Sequence, residues 1–371
     1  MPEHESQHNE LDRLFALMSK FNASDLHLKV ANKPLLRVAG QIRELDMGML
    51  EPALIKRMVY AILTPEQIRD FESKHDLDFA YSLGGVGRFR INIFIQRGTI
   101  SMAARRVNVT VPTFDSLHLP PVFKKLSAHQ AGLILVCGVT GSGKSTTLAA
   151  MIEYINTTRR CHIITIEDPI EYLYRDKKAF INQREVGLDV SDFKTALKYV
   201  VRQDPDVILV GEMRDPETFE TGLTASETGH LVFGTLHSST VAQTIGRIVD
   251  MFPADREQLL RQSLAFNLRG IACQKLLPSI KEGTDRVPAV EIMVVTPTIQ
   301  KLIREKEDRK IMDAVRAGEE EGMQDFTSAL AKLVEGGMIS RKAGYVHAPN
   351  PEQLKMRLQG IYLGEDNRIL G

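Results

Sequence analysis

Gly138-Val139-Thr140-Gly141-Ser142-Gly143-Lys144-Ser145-Thr146 is the stretch of this 371-residue sequence that decides its fold. It fits the phosphate-binding pattern G-x-x-x-x-G-K-[ST], in which glycines let backbone N–H groups approach a phosphate. We expect every residue of it except Val139 to bind nucleotide, with Ser145 also holding Mg²⁺. An apolar run, Leu133–Cys137, precedes the motif and a helix-forming segment, Thr147–Ile152, follows it. This strand–loop–helix order favours a nucleotide site over a chance glycine-rich turn.

The composition excludes several classes of protein. Lys plus Arg and Asp plus Glu both number 47, so no global field steers the chain toward nucleic acid or a membrane surface. Cys137, Cys161 and Cys273 are far apart in apolar runs, which favours buried reduced thiols over disulfides or a zinc site. No signal-peptide pattern or run of about 18 apolar residues is present. We therefore expect a soluble cytoplasmic protein that binds neither nucleic acid nor zinc.

The part of the chain before the motif reads as a small α+β domain, residues 1–110. It combines an amphipathic helix at Leu11–Met18, short alternating strands, two helices between Glu51 and Glu72, and antiparallel strands up to Val107. Prolines then punctuate residues 111–121, which we interpret as an interdomain linker.

Residues 122–371 read as an α/β domain. Apolar strands at His162–Ile166, Val207–Val210 and Leu231–Thr235 alternate with helices, which predicts a mainly parallel sheet. In such sheets the binding residues gather at the carboxyl ends of the strands. From Asp255 onward we expect mostly helix.

Acidic residues follow two of these strands. Glu212 comes just after Val207–Val210, where a carboxylate can face a γ-phosphate and orient or deprotonate the attacking water. Glu167, Asp168 and Glu171 follow the preceding strand and can bring two carboxylates close to one Mg²⁺. The alternatives are a helix-capping acid for Glu212 and a solvated loop for the other three.

Histidines and arginines complete the candidate set. His230 and His237 flank the strand Leu231–Thr235 at opposite ends, which makes His237 the better γ-phosphate sensor, while His230 is more suited to orienting backbone. Guanidinium groups suit phosphate, although arginines are also common on exposed strands. The candidate arginines of the first domain lie on adjacent predicted strands: Arg88, Arg90, Arg97, Arg105 and Arg106.

Taken together, the motifs make the sequence resemble the secretion-ATPase superfamily, and most closely the type IV pilus retraction ATPases of the PilT/PilU kind. The resemblance covers nearly the whole chain. Besides the phosphate loop, it rests on SDLHL (Ser24–Leu28), GRFR (Gly87–Arg90), TIEDPIEY (Thr165–Tyr172), QREVG (Gln183–Gly187), RQDPDVILVGEMRD (Arg202–Asp215), ETGHLVFGTLH (Glu227–His237), FPADR (Phe252–Arg256) and GMQDF (Gly322–Phe326).

The resemblance implies a RecA-like ATPase domain with a mainly parallel sheet, preceded by a smaller PAS-like domain, and it implies ATP and Mg²⁺. It matches Glu212 to the catalytic Walker B glutamate, and Arg90 with Arg105 to paired arginines that reach a nucleotide at a domain interface. The remaining matches place Glu167, Asp168 and Glu171 in an aspartate box and His230 and His237 in a histidine box. The residues with implied catalytic roles are Glu212, Glu171, His237, Arg90 and Arg105. Glu167 and His230 are implied to bind the nucleotide together with the phosphate loop. The implied Mg²⁺ ligands are Ser145, Glu171 and Glu212.

The resemblance further implies a homohexamer at the cytoplasmic face of the inner-membrane pilus base, acting on the platform protein and able to work with a paralogous retraction ATPase. Lack of a tetracysteine zinc insertion favours retraction over extension. Thr298–Glu305 reads TIQKLIRE where the family has AIRNLIRE. An accessory role in retraction, of the PilU kind, is favoured by this departure, by FPADR and by the tail Leu354–Leu370. The role of primary retraction motor is favoured by ETGHLVFGTLH. Two alternative functions stay open. One is an ATPase of a related secretion or DNA-uptake system, and the other is a nucleotide-binding scaffold with little turnover.

Overall fold

The computed structural model describes residues 10–38 and 40–360. The polar start of the chain and the end of the tail Leu354–Leu370 lie outside the described residues. The chain divides into two compact units. The first is the described part of Met1–Thr110 with Glu171–Leu173, and the second is Val111–Ile170 with the described part of Tyr174–Gly371. Among the described helices, none combines the length and the apolar character needed to cross a membrane.

The first unit is an antiparallel sheet with helices, as the sequence predicts. Its strands are β1 (Asp25–Leu28), β2 (Leu35–Val38), β3 (Gln41–Glu44), β4 (Asp76–Leu83), β5 (Gly87–Gln96) and β6 (Thr99–Arg106), and its helices are α1 (Glu10–Lys20), α2 (Pro52–Tyr60) and α3 (Pro65–Lys74). Across the described residues the strand order is β3-β2-β1-β6-β5-β4. Helix α3 begins where expected because Thr64 at its N-cap and Gln67 in its first turn form a reciprocal capping box. The α+β class of this part of the chain is confirmed.

The second unit is built on a mainly parallel sheet, which confirms the predicted class. Its strands are β7 (Gly132–Cys137), β8 (His162–Glu167), β9 (Phe180–Glu185), β10 (Val207–Val210), β11 (Leu231–Leu236), β12 (Leu268–Pro278) and β13 (Arg286–Val294). In the described part of the chain their order is β13-β12-β7-β11-β10-β8-β9, with only β13 antiparallel to its neighbour. Every residue of β7, β10 and β11 is buried, as expected for strands covered on both faces.

Helices pack on both faces of this sheet. They are α4 (Val122–Ser127), α5 (Lys144–Thr158), α6 (Phe193–Val200), α7 (Pro216–Glu227), α8 (Val241–Asp250), α9 (Glu257–Asn267), α10 (Pro297–Arg304), α11 (Ile311–Ala317), α12 (Phe326–Glu335), α13 (Arg341–His347) and α14 (Pro351–Leu358). Along β7, Leu133 and Leu135 belong to one apolar core while Ile134 and Val136 belong to another. Because side chains alternate along a strand, the two cores cover opposite faces of the sheet.

The expectation of a mostly helical chain from Asp255 onward is wrong between Leu268 and Val294. Here β12 and β13 form an antiparallel hairpin, and β12 pairs in parallel with β7. Most of β12 is buried on both faces, so its sequence lacks the polar alternation that marks a half-exposed strand. A short apolar run of this kind does not distinguish a strand from a buried helix. The edge strand β9 was also missed, because FINQRE is polar and only partly buried.

The predicted linker, residues 111–121, groups with the second unit. Phe114 and Leu119 within it are buried among the apolar residues of that unit. The linker role of this segment and the domain limits 1–110 and 122–371 stay predictions.

Candidate nucleotide-binding and catalytic site

The phosphate loop turns from the carboxyl end of β7 into the first residue of α5. Gly138, Gly141 and Gly143 have φ values of 146°, 79° and 91°, a region that residues with a side chain rarely adopt. A β-carbon on Gly138 would lie 2.5 Å from Ser142 Oγ. The loop therefore needs glycine at these positions, as the motif predicts. A helix that starts directly after such a loop offers the unpaired N–H groups of its first turn to an anion.

The inner side of the loop carries groups that suit a phosphate. Lys144 Nζ donates to the carbonyl oxygens of Gly138 at 2.9 Å and Val139 at 3.2 Å, which holds the ammonium against the loop. Burial lowers the pKa of Lys144, while the charge of Glu212 opposes that shift. Ser142 Oγ is buried and has no hydrogen-bond partner among the described residues. The ammonium, the orphan hydroxyl and the glycine cradle together fit the phosphates of a nucleotide.

Glu212 follows β10 and is held by two basic side chains. Its Oε1 lies 3.1 Å from His237 Nε2, and its Oε2 accepts a hydrogen bond from Arg214 Nη2 at 2.7 Å. Burial alone would raise the pKa of Glu212, but the Arg214 hydrogen bond and the nearby charges of His237, Arg214 and Lys144 bring it below its ordinary value. The lowered pKa keeps this carboxylate charged, and the two contacts fix the direction of a side chain that is only 17% exposed.

His237 follows β11, the strand between β7 and β10. Burial lowers its pKa, the charge of Lys144 lowers it further, and the charge of Glu212 acts in the opposite direction. A neutral imidazole protonated on Nε2 donates to Glu212 at the observed distance. His237 is thus placed to link the carboxylate of Glu212 to the phosphate loop, consistent with the predicted role of γ-phosphate sensor.

If the site hydrolyses ATP, as the sequence predicts, the pH profile of hydrolysis is expected to be flat from about pH 7 to about pH 8.5. Burial lowers the pKa of His237, and the Arg214 hydrogen bond with the nearby basic charges lowers that of Glu212, so neither group is expected to change charge above neutral pH. The rate should fall only at more acidic pH, where His237 gains a proton. Measuring kcat/KM across this range for the wild type and for His237→Asn tests the assignment. An inflection above pH 7 that disappears in the variant would contradict it.

Glu167 and Glu171, predicted to act together, have separate surroundings. Glu167 ends β8, where its Oε1 accepts from Thr165 Oγ1 at 2.7 Å and from Gln183 Nε2 at 3.2 Å. Glu171 groups with the first unit, where it lies 3.7 Å from Arg90 Nη1. Within residues 10–38 and 40–360, no three His, Cys, Asp or Glu side chains converge as a metal site. Binding of Mg²⁺ by Ser145, Glu171 and Glu212 stays a prediction.

His230 lies at the end of β11 that is remote from the phosphate loop. Leu231 pairs with Gly132 and Leu236 with Cys137, so the six residues of β11, roughly 20 Å of strand, separate His230 from His237. His230 Nδ1 contacts the carbonyl oxygen of Ala225 at 2.9 Å. This contact fits the predicted backbone-orienting role of His230, and nucleotide binding by His230 stays a prediction.

Arg90 and Arg105 occupy directly opposite positions on β5 and β6, which places both side chains on one face of the sheet. Arg105 Nε donates to Asp25 Oδ1 at 2.8 Å, and 68% of its side chain is exposed. Arg90 is 43% exposed. The two guanidinium groups thus form an exposed pair, as the predicted role in phosphate binding requires.

The sequence reasoning missed Arg214, which makes the shortest contact to Glu212. Arg214 lies within the motif RQDPDVILVGEMRD but received no role, because a position two residues after an acid is too common to identify a site. It also missed Gln274 of β12, whose side chain contacts the phosphate loop. Nothing near Gln274 in the sequence indicates that contact.

Comparison with known proteins adds independent information. The family model described as "Type II/IV secretion system protein" matches residues 115–344. The pilus retraction ATPase PilT of Pseudomonas aeruginosa is 44% identical over 92% of this chain and 99% of its own length. The pilus ATPase PilU of the same organism is 38% identical over 94% of this chain and 91% of its own. A crystal structure of the pilus retraction motor PilT with bound ADP has a TM-score of 0.85 at 43% identity, covering 95% of this chain and 99% of that one.

Proposed function

This chain belongs to the type II/IV secretion system protein family and is a homologue of the retraction ATPase PilT, and from this we propose that it hydrolyses ATP to power type IV pilus retraction. The observation that carries the proposal is the contact of Glu212 with His237 at 3.1 Å, next to a phosphate loop that needs its glycines. Likeness to PilT over nearly the full length of both chains supports the pilus as the machine served.

The chemistry follows from the residues at the site. The loop and Lys144 bind the β- and γ-phosphates. The hydroxyl of Ser145 would hold Mg²⁺, which would neutralise phosphate charge. Glu212 orients a water molecule and accepts its proton as the water oxygen attacks the γ-phosphorus and ADP leaves. His237 and Arg214 hold the carboxylate in that direction. His237 can then register whether the γ-phosphate is present.

Coupling ATP hydrolysis to mechanical work requires several subunits to assemble. The similarity to the family supports such an assembly. We place the protein in a homohexamer at the cytoplasmic face of the inner-membrane pilus base, where it acts on the platform protein. Arg90 and Arg105 supply positive charge to the nucleotide, so that ATP binding and hydrolysis move the two domains, with the hinge in residues 111–121. A paralogous retraction ATPase is a further candidate partner.

Deletion of the gene in its bacterium is expected to leave pili on the surface in excess and to abolish twitching motility, because assembled pili are no longer withdrawn. Sheared surface pilin and subsurface twitching zones are the measurements. The wild-type gene should restore both, and a Lys144→Ala gene should restore neither. A deletion strain without pili would refute retraction and favour assembly.

An accessory retraction role is the second candidate. It is favoured by TIQKLIRE, whose first seven residues lie in helix α10. The chain is also 38% identical to PilU, compared with 44% to PilT. In that case twitching persists in the deletion strain as long as a paralogous retraction ATPase is present, and it is lost when both genes are removed. Loss of twitching in the single deletion would exclude this candidate.

A further inference from the structure

Gln274 is a buried residue of β12 whose side chain reaches the phosphate loop. Its Nε2 donates to the carbonyl oxygen of Ser142 at 2.6 Å, and its Oε1 accepts from Thr147 Oγ1 at 3.0 Å. Only 2% of the residue is exposed. Ser142 precedes Lys144–Thr146 and Thr147 follows it. One amide group therefore bridges the segment where the loop becomes helix α5.

The contact between Gln274 and the loop extends to the glycines. A β-carbon on Gly138 would lie 2.6 Å from the carbonyl oxygen of Gln274, and one on Gly143 would lie 2.9 Å from Gln274 Nε2. The pairing of Cys273 with Cys137 places Gln274 level with Gly138. Gly138 is thus crowded by Ser142 together with the backbone of Gln274, and Gly143 is crowded by the side chain of Gln274.

We propose that Gln274 is a positioning residue of the nucleotide site, which fixes the curvature of the loop so that its N–H groups converge on the phosphates. The Ser142 carbonyl needs a donor and the Thr147 hydroxyl needs an acceptor, and an amide supplies both from one side chain. A glutamate would lack the donor and a methionine would lack both. The inference rests on the proposed function in that ATP and ADP are the ligands.

The side chain of Gln274 is not needed to hold β12 in the sheet. Backbone pairing joins β12 to β13 over the full run from Gly270 to Pro278, and to β7 on the other side. Loss of the amide therefore removes the hydrogen bonds to the loop, while the backbone pairing of β12 with β7 and β13 is kept. This separates a positioning role from a general structural one.

The variant Gln274→Met keeps the length of the side chain and removes both hydrogen bonds. We expect the Kd of the full chain for fluorescent ATP and ADP analogues to rise about tenfold. KM for ATP should rise with it, whereas kcat at saturating ATP should change by less than about threefold, because the groups that act on water are untouched.

The matched control is Gln324→Met. Gln324 is also a buried glutamine of this unit, but its amide donates to the carbonyl oxygen of Val290 at 2.8 Å and contacts Lys332. This variant should bind both nucleotides with wild-type affinity, even where its melting temperature falls. Equal losses of affinity in the two methionine variants would overturn the inference, because the effect would then be one of general stability.

A second variant, Thr147→Val, removes the other end of the same interaction. We expect it to weaken nucleotide binding by about threefold. Combined with Gln274→Met it should add little, because one contact is removed twice. If Gln274→Met does not fold, unchanged affinity in Thr147→Val overturns the inference. A wild-type chain that binds neither nucleotide overturns the proposed function as well, whereas wild-type binding with an unchanged Gln274→Met overturns the inference alone.

Discussion

Replacing Glu212 with glutamine is expected to lower ATP turnover by about 100-fold or more while the affinity for ATP stays within about threefold of the wild-type value. An amide has nearly the shape of the carboxylate and keeps an oxygen for Arg214, so the local packing survives. It cannot accept the proton of the attacking water. The loss should therefore appear in kcat and not in binding, which is measured by phosphate release at saturating ATP and by titration with a labelled nucleotide.

The control for this variant is Glu220→Gln on α7. Glu220 is also a glutamate paired with an arginine, Arg256, but it is 44% exposed and lies outside the candidate site. Its replacement should leave turnover within about twofold. Equal and substantial turnover by the wild type and Glu212→Gln would remove Glu212 from the chemistry. Bound ATP with negligible turnover in both would favour a nucleotide-binding scaffold over a motor.

The phosphate loop could be predicted because its determinants are contiguous in sequence. The glycines, Lys144 and the flanking strand and helix lie within one short stretch, and backbone conformation alone requires the glycines. Glu212 and His237 could be predicted from the sequence for a related reason. Each follows an apolar strand, and parallel strands bring their carboxyl ends to one edge of the sheet. Topology therefore converts positions distant in sequence into one site.

Residues whose role depends on side-chain contacts across the fold were not predictable. Gln274 lies 132 positions from Ser142, on a strand that the apolar pattern did not reveal as one. The separation of His230 from His237 was predictable, because the two residues flank β11 and the length of that strand lies between them. Motif spacing gives neighbours along the chain and not the direction of side chains.

Joint replacement of Arg90 and Arg105 by alanine is expected to lower ATP turnover by about 1,000-fold, the order found for an arginine that stabilises transition-state charge in phosphoryl transfer. The prediction rests on the proposal that these arginines reach the nucleotide in the assembled protein. Arg90 lies 3.7 Å from Glu171, and both side chains are about half exposed. An exposed ion pair of this kind contributes at most about 1 kcal/mol, so Arg90 can exchange it for a phosphate at little cost.

Arg105 is held more firmly, and its control must account for that. Burial would raise the pKa of Asp25, but the hydrogen bonds from Ser24 and Arg105 bring it below its ordinary value. Arg37 on β2 is the matched control, because it pairs with the same carboxylate at 3.7 Å and is not part of the predicted pair. Arg37→Ala should leave turnover within about twofold, whereas Arg105→Ala alone should reduce it by about tenfold or more.

The three variants separate two explanations of a loss of activity. If Arg37→Ala and Arg105→Ala lower turnover and melting temperature equally, the effect passes through Asp25 and the stability of the first unit. If only the Arg90 and Arg105 variants lose turnover, with unchanged melting temperatures and oligomeric state on gel filtration, the arginines act on the nucleotide. A double variant that hydrolyses ATP at the wild-type rate would leave them as surface residues of the sheet. The phosphate loop would then respond to ATP without help from the first domain, and the proposed coupling of the two domains through these arginines would fail.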